Sequence, residues 1–151
     1  MTTYDGKKIV ITGGSSGIGL AAARLFADGG AHVLITGRTR ATLDTALEEL
    51  GDKAIAVRSD AASLKEIKAL ADTVRERFGA VDALFVNAGV TASAPFASTT
   101  EEMYDALFDV NTKGPYFTVQ ALAPLMREGS GVVLTTSVVN VLGLDAHRPS
   151  R

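Results

Sequence analysis

The chain has 151 residues, of which 46% are hydrophobic and 21% charged, with 15 glycines and 4 prolines. These proportions fit one folded domain and exclude a disordered or fibrous protein. Fifteen basic against 17 acidic residues leave a formal net charge of −2, which provides no basic surplus for binding nucleic acid or an anionic membrane surface. The absence of cysteine and the presence of only two histidines exclude thiolate chemistry and Cys- or His-based metal centres, so no metal site is predicted.

The first eight residues are polar and lead into a short apolar run. That run is too short for the hydrophobic region of a signal peptide or for a membrane span. We therefore expect a cytoplasmic protein that does not enter the membrane.

Short apolar runs without polar alternation recur along the chain, as is typical of strands buried on both faces of a parallel sheet. The five predicted strands cover residues 9–12, 33–35, 54–57, 83–86 and 132–134. Segments of helical periodicity separate them. Because strands and helices alternate, the predicted fold is α/β: a Rossmann-like, doubly wound parallel sheet of about five strands with helices on both faces.

Capping residues and glycines predict where the helices begin and end. The first helix begins at Gly17, and two capping boxes open later helices, one formed by Ser63 with Glu66 and one by Thr99 with Glu102. Glycines at the ends of the apolar periodicity are the predicted stops, namely Gly29, Gly51, Gly79 and Gly129. The helix that ends at Gly129 is expected to be the longest.

A glycine-rich turn, residues 12–19, joins the first strand to the first helix. Its spacing is G-x-x-x-G-x-G rather than the G-x-G-x-x-G of the general dinucleotide fingerprint. Main-chain N–H groups and the positive end of the helix dipole would nevertheless converge there on a pyrophosphate. The alternative is a turn rich in glycine only for tightness. The candidate cofactor-binding residues in this turn are Thr12, Gly13, Ser15, Ser16, Gly17, Ile18 and Gly19.

The end of the second strand predicts which nucleotide is bound. A carboxylate about 20 residues beyond the glycine turn would bind the ribose of NAD, but this segment holds Arg38 and Arg40 instead. Because a guanidinium can grip a 2′-phosphate with two charge-assisted hydrogen bonds, NADP(H) is favoured over NAD(H). The alternative, a solvated loop charge, applies more to Arg40 than to Arg38.

Taken together, these motifs resemble the short-chain dehydrogenase/reductase family over residues 7 to about 144. The resemblance implies hydride transfer between a nicotinamide cofactor and a small carbonyl or alcohol substrate. It further implies that Asp60 accepts a hydrogen bond from the adenine amino group, and that Ser137 and Asn111 belong to an active-site tetrad. The residues implied to line the nucleotide cleft after the fourth strand are Asn87, Ala88 and Gly89.

Local chemistry independently supports a functional role at two of these positions, Asn111 and Ser137. Pro115 has no N–H, so the carbonyl of Asn111, four residues earlier, loses its intrahelical partner and is open to a water or a side chain. The alternative is a kink that only follows the sheet. Ser137 follows the fifth strand, at the carboxyl edge where ligands bind in such folds. A serine at a strand end is otherwise usually structural.

The family's proton-transfer pair, Tyr-x-x-x-Lys, does not follow Ser137. Residues 143–151 contain neither Tyr nor Lys, and the one literal match, Tyr4 with Lys8, precedes the first strand. We interpret residues 1–144 as the nucleotide-binding part of such an enzyme, cut short or altered in frame, and 145–151 as a polar tail. We expect nucleotide binding without turnover, because the proton donor is missing. The alternatives are a non-catalytic dinucleotide-binding module and, less favoured, a phosphate-binding regulatory domain.

The sequence also predicts self-association. Without further strands the fifth strand is an edge, and an unpaired apolar edge invites pairing with another chain. The long helix would also expose part of its apolar face. We therefore expect a homo-oligomer.

Overall fold

The computed structural model describes residues 3–92 and 94–137. Within them, five parallel strands form one sheet in the order β3-β2-β1-β4-β5. The strands are β1 (Lys8–Thr12), β2 (His32–Gly37), β3 (Ala54–Arg58), β4 (Val81–Val86) and β5 (Met126–Leu134). The helices are α1 (Gly17–Asp28), α2 (Arg40–Leu50), α3 (Leu64–Phe78), α4 (Glu101–Phe108) and α5 (Gly114–Leu122). The predicted α/β architecture is confirmed.

The sheet buries both of its faces, which explains the unbroken apolar runs in the sequence. Along β1, Val10 packs into one hydrophobic cluster with residues of α3 and α5, whereas Ile9 and Ile11 pack into the other with residues of α1 and α2. All three side chains are at most 2% exposed. The helices therefore cover the two faces in pairs and leave the carboxyl edge of the sheet open.

The strand order reverses between β1 and β4. The chain proceeds outward from β1 through β2 to β3, and then returns to place β4 and β5 on the other side of β1. The last residues of the two central strands, Thr12 and Val86, are register partners. The helices that follow β1 and β4 therefore lie on opposite faces of the sheet, and a crevice forms at this edge, which is where ligands bind in open α/β sheets.

The two predicted capping boxes differ from the structure in detail. Ser63 does cap α3, its hydroxyl accepting from the N–H of Glu66 at 3.3 Å, but the Glu66 carboxylate accepts from the N–H of Asp60 at 2.8 Å rather than from Ser63. The cap of α4 is Thr100, which accepts from the N–H of Met103, and not Thr99. The Thr99 hydroxyl instead bonds the carbonyl of Pro95 in the preceding 3₁₀ turn.

The predicted long helix is interrupted and ends earlier than Gly129. A π turn, Asp109–Lys113, separates α4 from α5 just before Pro115, the residue considered above as a source of a kink, and a 3₁₀ turn, Ala123–Leu125, closes the segment. Gly129 (φ +81°) instead lies in an irregular stretch of β5, where the Ser130 hydroxyl accepts from the N–H of Arg127 and donates to the carbonyl of Val81. Gly129 therefore serves a bulge, because the chain has already entered the sheet at Met126.

Candidate functional site

A cleft of about 360 Å³ opens at the carboxyl edge of the sheet, between the loops that follow β1, β2, β3 and β4. Sequence analysis predicted half of its lining, namely Gly13, Ser15, Ser16, Arg38, Asp60, Asn87, Ala88 and Gly89. The other lining residues were not predicted: Thr36, Gly37, Thr39, Thr42, Ser59, Ala61, Val90 and Val110. All but Thr42 and Val110 lie at the end of a strand or within four residues after it, so their position at strand ends was the signal that could have found them.

Glycines let the turn of residues 12–19 fold tightly against β4. Gly13 has φ +65°, and a Cβ there would lie 2.9 Å from the Cα of Ala88. A Cβ on Gly19 would lie 2.2 Å from the carbonyl oxygen of Gly13. Gly17 has φ +54° with open space around it, so glycine is favoured there by the backbone conformation and not by a lack of room for a side chain. Main chain rather than side chain therefore forms this wall of the cleft.

The first helical turn of α1 keeps its main-chain N–H groups open. The side chain of its N-cap residue, Ser16, makes no capping hydrogen bond. Among the residues that the structure describes, none accepts a hydrogen bond from the main-chain N–H groups of residues 15–19. Open N–H groups and the positive end of the helix dipole suit an anionic group.

Two predicted residues support the turn rather than line the cleft. Thr12 is 3% exposed, and its hydroxyl accepts from the N–H groups of Asn87 at 3.0 Å and Ala88 at 3.1 Å. Gly19 is also buried. Gly17 and Ile18 are exposed and lie outside the cleft lining. The structure thus ties the end of β1 to the end of β4 through one hydroxyl group.

Asn87 links three segments through its side-chain amide. Its Nδ2 donates to the carbonyl of Gly13 at 3.3 Å, and its Oδ1 accepts from the hydroxyl of Thr135 at 3.0 Å. The N–H of Thr135 also donates to the carbonyl of Val86 at 3.0 Å. The glycine turn, the end of β4 and the end of β5 therefore meet at this amide.

The charged residues of the cleft differ in their partners. Arg38 is exposed and forms no ion pair with any described residue, whereas Arg40 pairs with Asp44 at 2.9 Å and lies outside the lining. Asp60 accepts from the N–H of Ala62 at 3.0 Å, which fixes its carboxylate at the end of β3. The cleft thus presents one cation without an ion-pair partner among the described residues and one oriented carboxylate, on the neighbouring loops after β2 and β3.

The predicted catalytic residues lie at the side of the cleft formed by β4, β5 and the π turn. The side-chain amide of Asn111 accepts from the N–H of Val90 at 2.9 Å and donates to its carbonyl at 2.8 Å. Ser137 is exposed just beyond β5. Neither residue lines the cleft itself, although Val90 and Val110 beside Asn111 do. Residues 143–151, in which the sequence has no Tyr-x-x-x-Lys pair, lie outside the described residues.

Within residues 3–92 and 94–137, no three His, Asp or Glu side chains come together in a way that could hold a metal ion. No helix in this part of the chain is long and apolar enough to cross a membrane.

Comparisons with characterised sequences identify close relatives of this chain. The family model described as short chain dehydrogenase matches residues 7–147. The oxidoreductase asL5 of Sarocladium schorii is 39% identical over 140 residues, which is 91% of this chain and 56% of that protein. The galactitol 2-dehydrogenase of Agrobacterium fabrum is 39% identical over 122 residues, covering 81% of this chain and 48% of its own. The chain thus spans about half the length of these relatives.

Solved structures share the fold. A short-chain dehydrogenase/reductase, a glucose/ribitol dehydrogenase from Brucella melitensis, superposes with a TM-score of 0.90 at 28% identity, over 95% of this chain and 63% of its own. The NADH-dependent reductase A1-R′, solved with NAD, gives a TM-score of 0.83 at 28% identity, over 93% of this chain and 63% of its own. With the family model matching 7–147, the chain belongs to the short-chain dehydrogenase/reductase family.

Proposed function

We propose that this chain binds NADP(H) in the cleft, in preference to NAD(H), as the cofactor site of an oxidoreductase that interconverts a small carbonyl and an alcohol. The observation that carries the preference is Arg38, which lines the cleft at the end of β2 without an ion-pair partner among the described residues. No carboxylate stands at the end of β2 to bind a ribose 2′-hydroxyl. A 2′-phosphate would supply the negatively charged partner that Arg38 does not have among the described residues.

The residues present fit a dinucleotide. The glycine turn forms a wall without side chains, and a Cβ at Gly13 would meet the main chain of Ala88. The open N–H groups of residues 15–19, with the hydroxyls of Ser15 and Ser16, would hold the diphosphate, and Asp60 would bind the adenine amino group. When bound, the nicotinamide supplies the hydride donor or acceptor.

The two residues that carry out proton transfer in this family do not follow Ser137 in this sequence. The family pairs hydride transfer with a Tyr hydroxyl and a Lys one helical turn later, and residues 138–151 hold neither. We therefore propose that the 151-residue chain binds nucleotide without turning over ketones, aldehydes or alcohols. The second candidate function, a non-catalytic dinucleotide-binding module, has the same cofactor site.

Titration calorimetry with NADPH and NADH tests the cofactor site. We expect NADPH to bind at least about tenfold more tightly, since a charge-assisted hydrogen bond to a phosphate contributes about 1.5–3 kcal/mol. Equal affinities would overturn the preference, and no heat from either nucleotide would overturn the function. Steady oxidation of NADPH with a panel of ketones and aldehydes would contradict the absence of turnover.

Self-association is proposed on the exposed end of β5. In the described part of the chain β5 is an edge strand, and Val133 and Leu134 are 60% and 52% exposed. An apolar edge with unpaired main-chain groups favours pairing with a second copy. Light scattering tests this, and a monodisperse monomer at high concentration would contradict it. We also expect the protein in the cytoplasm, which fractionation of expressing cells would test.

A further inference from the structure

We propose that Thr135 is a positioning residue for the nucleotide: its hydroxyl fixes the Asn87 amide, which in turn holds the glycine turn in its binding conformation. This inference rests on the proposed function. Thr135 lies just beyond β5 and is exposed, 48 residues along the chain from Asn87. Nothing in the spacing of the family motifs assigns it a role.

The hydrogen bonds of the Asn87 amide fix which way its oxygen and nitrogen point. Asn87 Nδ2 donates to the carbonyl of Gly13, so Oδ1 must point the other way, toward Thr135. An amide rotated by half a turn would place Oδ1 against the Gly13 carbonyl, and two acceptors would then face each other. The Gly13 carbonyl, which can only accept, therefore sets the orientation of the amide, and the Thr135 hydroxyl holds the amide there by donating to Oδ1 at 3.0 Å.

The Gly13 carbonyl lies inside the folded glycine turn. This oxygen is enclosed between the Asn87 amide and Gly19, where an added Cβ would come within 2.2 Å of it. Gly13 also has φ +65°, a conformation in which its peptide groups are aimed differently from those of ordinary turns. Loss of the Asn87 contact would release this carbonyl and with it the N–H groups of residues 15–19 that follow.

The role of the side chain is separable from strand pairing. The main-chain N–H of Thr135 donates to the carbonyl of Val86 at 3.0 Å, so the end of β5 stays joined to β4 whatever side chain stands there. Valine retains the shape of threonine and removes only the donor. Thr135→Val should therefore leave the fold intact and loosen the Asn87 amide.

The test compares three variants of the full chain by calorimetric titration with NADPH. We expect Thr135→Val to raise the Kd about fivefold, the effect of one net hydrogen bond. Thr135→Ser, which keeps the hydroxyl, should bind within about twofold of the unmodified chain. Thr136→Val is the matched control, since the Thr136 hydroxyl makes no hydrogen bond with any described residue.

The outcomes distinguish the positioning role of Thr135 from the cofactor site on which it rests. Wild-type affinity in Thr135→Val, or equal weakening in Thr135→Ser, would overturn the positioning role and leave the cofactor site standing. A shift in the urea midpoint without a change in Kd would likewise reduce Thr135 to a structural residue. Absence of binding by the unmodified chain would overturn the cofactor site itself, and the inference with it.

A measurement on the unmodified chain covers the case in which Thr135→Val does not fold. In a ¹H–¹⁵N spectrum, the two protons of the Asn87 side-chain amide should have well-separated shifts and exchange slowly with solvent. Rapid exchange or averaged shifts would overturn the proposal.

Discussion

The side-chain amide of Asn111 forms two hydrogen bonds with the main chain of Val90, accepting from its N–H at 2.9 Å and donating to its carbonyl at 2.8 Å. The pair joins the π turn between α4 and α5 to the loop that follows β4. Because Val90 lines the cleft, this contact shapes the wall on the side where the predicted catalytic residues lie. The free main-chain carbonyl predicted for Asn111 stays a prediction.

Asn111→Ala should destabilise the protein by about 1 kcal/mol, because two hydrogen bonds are lost at an exposed position. Urea unfolding followed by circular dichroism measures the loss. The neighbouring Thr112→Ala is the control, since Thr112 is exposed and its side chain makes no hydrogen bond with any described residue. Equal loss in the two variants would show that the Val90 contact contributes nothing.

Gly13→Ala should abolish nucleotide binding and cost more stability than the same change at Gly6. Both glycines have positive φ, +65° and +68°, so both variants incur a conformational cost of about 1–2 kcal/mol. Only at Gly13 does the new Cβ meet main chain, at 2.9 Å from Ala88, which adds about 1–3 kcal/mol. Urea midpoints and NADPH titration separate the two effects, and similar midpoints would contradict the steric argument.

Arg38→Ala should weaken NADPH binding by about tenfold or more and leave NADH binding nearly unchanged, because only the former carries a 2′-phosphate. Arg40→Ala is the matched control: Arg40 pairs with Asp44 outside the cleft, so its loss should alter neither affinity by more than about twofold. Titration of both variants with both nucleotides measures this. A larger loss of NADPH affinity in Arg40→Ala would contradict the proposal, because it would place the 2′-phosphate at Arg40 and not at Arg38.

Gly114→Ala should destabilise the protein by about 1–3 kcal/mol and weaken nucleotide binding. A Cβ there would lie 2.3 Å from the carbonyl oxygen of Ala61, which lines the cleft, so α5 and the loop after β3 must separate. Gly131→Ala is the control, because open space surrounds that position. Equal urea midpoints for the two variants would show that α5 absorbs the added methyl group.

Thr100→Ala should remove the α4 cap at a cost of about 0.5–2 kcal/mol and raise the pKa of Glu102. Hydrogen bonds from the main-chain N–H of Glu102 and then from the Thr100 hydroxyl hold the pKa of Glu102 below its ordinary value. The associated stability is present above the ordinary glutamate pKa and is lost as the pH falls through the lowered pKa. NMR titration of Glu102 measures the change, and Thr99→Ala should leave that pKa in place.

The sequence by itself determined the features that depend on neighbours along the chain. Unbroken apolar runs such as residues 9–12 indicated strands buried on both faces, and their alternation with helical periodicity gave the parallel sheet. The glycine turn was recognisable because it lies between a strand and a helix. Arg38 could be predicted as a cleft residue from its position after the second strand, since strand ends form the cleft in this architecture.

Only the tertiary structure decided which distant groups meet. The Thr135 hydroxyl reaches an amide 48 residues away, and Gly114 packs against the carbonyl of Ala61; no periodicity or spacing along the chain encodes either contact. The early end of the predicted long helix likewise follows from where the chain must enter the sheet beside β4. Local patterns report burial and turn geometry, whereas strand pairing and loop packing set the distances on which binding depends.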